Sequence, residues 1–146
     1  MCQPLYRDDA SIADEDRLFR RIHLTQIVKD DDTGLARISS GAFRDKELSV
    51  NIESALLSDG KVPGHCLRSY LTHKLAAITA GEARQYQQAV CRDPLPHDPS
   101  HGLVWGSKNS RRVHLGLTDA ATWVIPGQAP LYDDILREKR AHGVPE

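Results

Sequence analysis

Residues 75–92 read LAAITAGEARQYQQAVCR, an apolar run, a capped helical stretch and a second apolar run. Leu75-Ala76-Ala77-Ile78 has the length and composition of a buried strand. Thr79 can N-cap a helix, because Glu82 three residues on completes a capping box, and the helix can extend through Gln87. Gln88-Ala89-Val90-Cys91-Arg92 then returns to strand. This order permits one parallel crossover with a short helix. It also commits the chain to a fold in which both element types share one core.

The flanking sequence fits the same class. On the C-terminal side, Pro94, Pro96 and Pro99 deny residues 93–100 both ladder hydrogen bonds and helical continuity, so this is a loop. His101 to Trp105 is the next strand. Ser110 or Asn109 can N-cap a helix over 110–122 with an apolar stripe of Val113, Leu117 and Ala121. Pro126-Gly127-Gln128-Ala129-Pro130 breaks the chain, and 131–141 forms a charged terminal helix.

On the N-terminal side, Pro63 suits the first turn of a helix over 64–70. Leu48-Ser49-Val50-Asn51-Ile52 alternates as a half-buried strand does. It leads into a short helix at 53–58, ended by Ser58-Asp59-Gly60. Ala36 to Phe43 is extended, Lys29 to Gly34 is a turn, and Arg17 to Val28 favours strand through Phe19, Ile27 and Val28. Asp8, Asp9, Asp14, Glu15 and Asp16 make residues 1–16 an acidic arm, expected to be mobile, ahead of one domain over 17–146. The expected fold is a single compact α+β domain. It has a short-stranded mixed sheet, several short helices and a C-terminal helix.

At 146 residues such a domain buries roughly two-thirds of its unfolded surface. Two Phe, four Tyr and two Trp leave the core to Leu, Val, Ile and Ala. Nineteen basic against twenty acidic residues give a net charge of −1, which argues against extended DNA binding and against attraction to an anionic membrane. No apolar run approaches the roughly 20 residues of a membrane span, and Met1 to Leu5 shows no secretory signal. Cys2, Cys66 and Cys91 are odd in number and widely spaced, which fits reduced thiols and a cytoplasmic location.

Gly106-Ser107-Lys108-Asn109-Ser110-Arg111-Arg112 lies between a strand end and a helix start. Backbone amides, the helix dipole and basic side chains can meet there, so Gly106, Ser107, Lys108, Ser110, Arg111 and Arg112 are the expected anion-binding residues. Gly106 is expected at positive φ. The spacing is not that of a P-loop, and an ordinary capped helix start with solvated basic residues uses the same residues. His101 and His114 flank the turn. If both reach a phosphate held there, they are the expected catalytic acid–base pair. His97-x3-His101 is the one metal-like spacing, but it crosses Pro99 and the cysteines are isolated, so no metal site and no cofactor is expected. His23-Leu24-Thr25 is a single His-x-Thr tripeptide without a second copy.

Arg20 on an early strand, then Ser39-Ser40-Gly41, then Leu48 to Glu53, loosely resembles the Arg, Ser and Glu order of ADP-ribosyltransferase-like toxins. That resemblance implies NAD as ligand, but it rests on three common residue types and assigns no family. Two functional classes therefore stand. The first is a small cytosolic accessory or interaction module with a protein partner, which the acidic arm and charged terminal helix favour. The alternative is a small enzyme or sensor for a phosphate-bearing ligand (RNA, nucleotide or NAD), with the anion site at 106–112.

Overall fold

The computed structural model describes residues 7–146. Strand β1 (Arg17–His23) lies inside a six-stranded sheet with β4 (Glu47–Ile52), β5 (His73–Thr79), β6 (Ala89–Arg92), β7 (His101–Trp105) and β8 (Thr122–Ile125), in the order β6-β7-β4-β1-β5-β8. Strands β2 (Ile27–Lys29) and β3 (Ala36–Ile38) pair as a separate ribbon. Helices α1 (Glu53–Ser58), α2 (Ala80–Gln85), α3 (Arg111–Ala120) and α4 (Tyr132–Ala141) complete a single α+β domain, with 3-10 turns at Leu24–Gln26, Ser40–Phe43 and Pro63–Leu67.

The strand–helix–strand unit forms where the sequence places it. Thr79 accepts from the Glu82 amide at 3.1 Å while the Glu82 carboxylate accepts from the Thr79 amide at 2.8 Å, the reciprocal bonding of a capping box. Each ladder in the sheet is antiparallel. The crossover at 75–92 therefore makes no parallel pair: β5 and β6 run in the same direction but lie apart, with β1, β4 and β7 between them.

Alternation sorts the strands into two faces. Leu18 and Ile22 of β1 join Leu48, Val50, Ile52, Ala76, Ile78, Val90 and Val104 on one face, under Ala80, Ala83, Val113, Leu117 and Ile135 from the helices. Phe19 of β1 points the other way, to a smaller cluster with Leu56, Cys66, Leu75 and Ala77. Full burial of a Leu, Ile or Phe side chain is worth about 1.5–3 kcal/mol, so the first face holds most of the stability. The second face is less completely apolar, and polar residues of β1, β4 and β7 are seated there.

Several features depart from the sequence reading. 3-10 turns at Leu24–Gln26 and Ser40–Phe43 interrupt the strand expected over 17–28 and end the extended stretch expected over 36–43. Three differences are larger. The described part of the acidic segment is docked on the domain. Ile12 is fully buried, the Asp9 amide bonds the Val90 carbonyl at 2.8 Å, and Arg84 pairs with Asp8 and Asp14 at 3.0 and 2.7 Å. The segment thus covers the outer edge of β6, which would otherwise present unpaired backbone groups. The sequence pattern carries the third helix to 122 and breaks the chain at Pro126, yet Thr122–Ile125 is strand β8 on the edge beside β5. Its Thr, Val and Ile favour strand, and the ladder from β5 decides it. The helix expected at 64–70 is only a 3-10 turn, Pro63–Leu67.

Gly106 has φ of +149°, and a Cβ there would come within 2.7 Å of Oε1 of the buried Gln88 side chain. Gln88 in turn donates to the carbonyls of Tyr86 and Ser107 at 3.1 and 3.0 Å, so it is not free to yield. Gly106→Val therefore combines backbone strain with overpacking, a cost of about 2–4 kcal/mol. Urea unfolding should show a lower midpoint with an unchanged slope; a midpoint equal to wild type would contradict this role for the turn.

Candidate functional site

On the second face, β1 presents Phe19, Arg21 and His23 at alternate positions. Asn51 of β4 is the register partner of both Phe19 of β1 and His101 of β7. The 63–72 segment and the 93–100 loop pass over this face without closing it. They leave a cleft of about 360 Å³ whose walls include Arg21, Ser49, Asn51, His65, Arg68, Tyr70, His97, Asp98 and His101.

Arg21 is half-buried, with its guanidinium carbon 4.1 Å from the centroid of the Tyr70 ring. One of its nitrogens lies 3.4 Å from both the Asn51 side-chain oxygen and the Cys66 carbonyl. Arg17, Arg20, Arg84 and Arg92 each have a carboxylate partner. Among the described residues Arg21 has none, so its charge is held by a ring face and neutral acceptors. Stacking and bonding of this kind fix the guanidinium plane and leave its remaining donors open to a ligand.

Asn51, only 5% exposed, donates to the Asp98 carboxylate at 2.9 and 3.1 Å and to the Ser100 hydroxyl at 2.9 Å. These bonds pin the loop to the sheet. His101 Nδ1 lies 3.0 Å from the Asp93 carbonyl and 3.2 Å from its carboxylate. Both partners are acceptors, so Nδ1 carries the proton and Nε2 of the neutral ring is left with a lone pair. Cys66 in the same wall is unsuited to nucleophilic work: burial pushes its thiol up to about 11, which keeps it protonated near neutrality.

The residues expected from sequence are divided by the structure. Ser110 caps α3, accepting from the Val113 amide at 3.3 Å, while Ser107 and Arg111 are exposed. Arg112 lies 5.2 Å from the Tyr86 ring and bonds the Gln87 side chain at 3.4 Å. Lys108 is turned inward and 1% exposed, with its ammonium 2.8–3.2 Å from the carbonyls of Val104, Gly106 and Lys46. Burial brings it down to about 8. Its donors close the turn rather than face a ligand. His114 is also buried, with Nδ1 on the Lys108 carbonyl at 2.9 Å and Nε2 accepting from Arg44 at 3.1 Å.

His101 and His114 are not brought together. His101 starts β7 and the Lys108 turn follows its end, a separation of about 13 Å along the strand. Arg20 and Glu53 are not joined either. Arg20 bonds the Ala42 and Ser49 carbonyls at 3.3 and 3.2 Å, whereas Glu53 pairs with Arg17 at 2.7 Å, from the opposite face of β1. Among the described residues no group of three or more His, Cys, Asp or Glu side chains is placed to hold a metal, and no helix is long and apolar enough to cross a membrane. A second groove of about 500 Å³ between the β2–β3 ribbon and α3 is lined by Val28, Ile38, Leu115 and Trp123, with Arg37 and Asp119 as its charged residues. Comparison with family models, curated proteins and solved structures found no match to this chain.

Beyond Arg21, the second face bears a cross-strand pair, His23 and His73, with ring centroids 4.9 Å apart. His73 is pushed down to about 4, first by burial and then by the charges of His23, Arg21 and Arg20. It is neutral in the fold but titrates near 6.5 when unfolded, so the unfolded chain binds more protons between these values. Stability is full above pH 6.5 and falls as pH drops toward 4, by on the order of 1–2 kcal/mol once solvent screening is allowed for. Melting curves at pH 7.5, 5.5 and 4.5 should fall more steeply for wild type than for His73→Gln. Parallel slopes would show that His73 carries no such linkage.

Proposed function

We propose that the domain binds a small phosphate-bearing ligand in the cleft on the second face of the sheet, with Arg21 as the principal anion contact. The observation that supports this reading is the half-buried Arg21 guanidinium, oriented on Tyr70 and lacking a carboxylate partner among the described residues. A cation with bonding capacity in reserve, inside a concave wall, is the usual arrangement for recognising a phosphate or carboxylate. Arg68, His65 and His97 add donors to the same walls, and Asp98 is engaged by Asn51 and Ser100. A net charge of −1 fits recognition of one phosphate group at a local site rather than of a long polyanion.

The accessory-module reading has its own support in the exposed apolar side chains Leu57 of α1 and Val62 and Leu71 of the segment between α1 and β5. Scattered exposed apolar residues are common on monomers, so they carry less weight than a placed cation.

A thermal-shift series with inorganic phosphate, ribonucleotides, NAD and a short RNA separates the two readings. A ligand present at about 100 times its Kd stabilises the fold by about 2.7 kcal/mol, which raises Tm by several degrees. The shift should disappear in Arg21→Ala and persist in Arg111→Ala. Loss in Arg111→Ala with retention in Arg21→Ala would move the site to the 106–112 turn, and no shift with any ligand would leave the interaction module.

A further inference from the structure

Within the cleft, His101 is held as a base is held in many hydrolytic sites. Its protonated Nδ1 is directed at Asp93, and among the described residues Nε2 has no protein partner. Its side chain is 11% exposed, so the ring is largely shielded yet still reaches the cleft wall. The imidazole forms no hydrogen bond to a serine or threonine hydroxyl or to a thiol among the described residues. Cys66, the thiol in the same wall, is kept protonated by burial. A base without a protein nucleophile activates either water or a hydroxyl that the substrate brings. Ribose beside a phosphodiester brings one, its 2′-hydroxyl. Arg21 supplies a cation for the non-bridging oxygens, and His97, exposed on the same wall, supplies a second imidazole.

We propose that the cleft cleaves a ribonucleotide phosphodiester in short single-stranded RNA, with His101 as general base, His97 as general acid and Arg21 holding the phosphate. This rests on the phosphate-binding reading of the same cleft. His101 Nε2 takes the proton of the 2′-hydroxyl, and the 2′-oxygen bonds to phosphorus as the bond from phosphorus to the 5′-oxygen breaks. The departing 5′-oxygen takes a proton from the His97 imidazolium. The products are a 2′,3′-cyclic phosphate and a free 5′-hydroxyl, with no change of oxidation state and no co-reactant. Asp93 acts as a positioning residue, fixing the tautomer of His101 and stabilising its imidazolium. Arg21, His65, Arg68, His97 and Asp98 share the cleft walls with His101, and Asp93 bonds its ring.

The test uses the full chain and a DNA pentamer with one central ribonucleotide, beside the all-deoxy pentamer as a probe that binds but cannot react. The ribonucleotide pentamer should be cut with a 2′,3′-cyclic terminus and the all-deoxy pentamer left intact. His101→Gln should lower kcat/KM by about 10²–10⁴-fold, and Asp93→Asn should displace the acidic limb of the pH–rate profile. His97→Gln, at an exposed loop position, carries the test if His101→Gln does not fold, and should remove the alkaline limb. Binding of the all-deoxy pentamer in an Arg21-dependent way, with no cleavage of the ribonucleotide pentamer, overturns the cleavage proposal and leaves the binding reading standing. Absence of binding and cleavage overturns the cleavage proposal, and the binding reading falls with it when phosphate, ribonucleotides and NAD also give no thermal shift. Cleavage that survives in His101→Gln and His97→Gln also overturns the proposal.

Discussion

Strand β1 has to satisfy two ladders and two faces at once, and the other elements are arranged around that requirement. It pairs with β4 on one side and along its whole length with β5 on the other. Leu18 and Ile22 must therefore meet the helical layer, while Phe19, Arg21 and His23 must lie on the opposite face. A one-residue slip would drive Arg21 into the apolar layer and expose Ile22, so the register is strongly specified. The same constraint that fixes the fold thus seats a cation on the second face. The polar cleft arises from the strand's alternation together with a covering segment too short to close over it.

Elsewhere the protein uses buried cations as structural closures. Lys108 bridges three carbonyls at the end of β7, and Lys139 of α4 reaches the Ile27 carbonyl and the Tyr132 hydroxyl, each at 2.9 Å. A buried ammonium with its donors taken up by carbonyls offsets much of its desolvation cost. This sets two pairs of basic residues apart. Lys108 and Lys139 complete backbone hydrogen bonding, whereas Arg21 and Arg68 line the cleft.

Local signals in the sequence mark most elements correctly. The Thr79–Glu82 box, the Ser110 cap, the Pro-rich loop at 93–100 and the alternation of 48–52 each depend on neighbours in the chain, so they can be read without a structure. Strand β8 is not legible, because a four-residue strand at a sheet edge is decided by the partner it meets. The cleft is hidden for the same reason. Asn51, Arg21 and His101 each look like an ordinary polar position on a half-buried strand, and only the order of β1, β4 and β7 makes them neighbours. The available signal is Arg21 and His23, at the alternate positions of β1 that share a face with Phe19. The turn at 106–112 stands out because its basic residues are contiguous, yet contiguity does not reveal that Lys108 folds inward.

Everything proposed for this domain requires the sheet-face cleft, and not the contiguous basic turn, to hold the anion. Assigned amide NMR spectra recorded during titration with a ribonucleotide monophosphate distinguish the two places residue by residue. Binding in the cleft gives saturable shifts at Arg21, Asn51, residues 97–98 and His101, with residues 107–112 unmoved. Shifts centred on 107–112, with the cleft residues unmoved, would refute it.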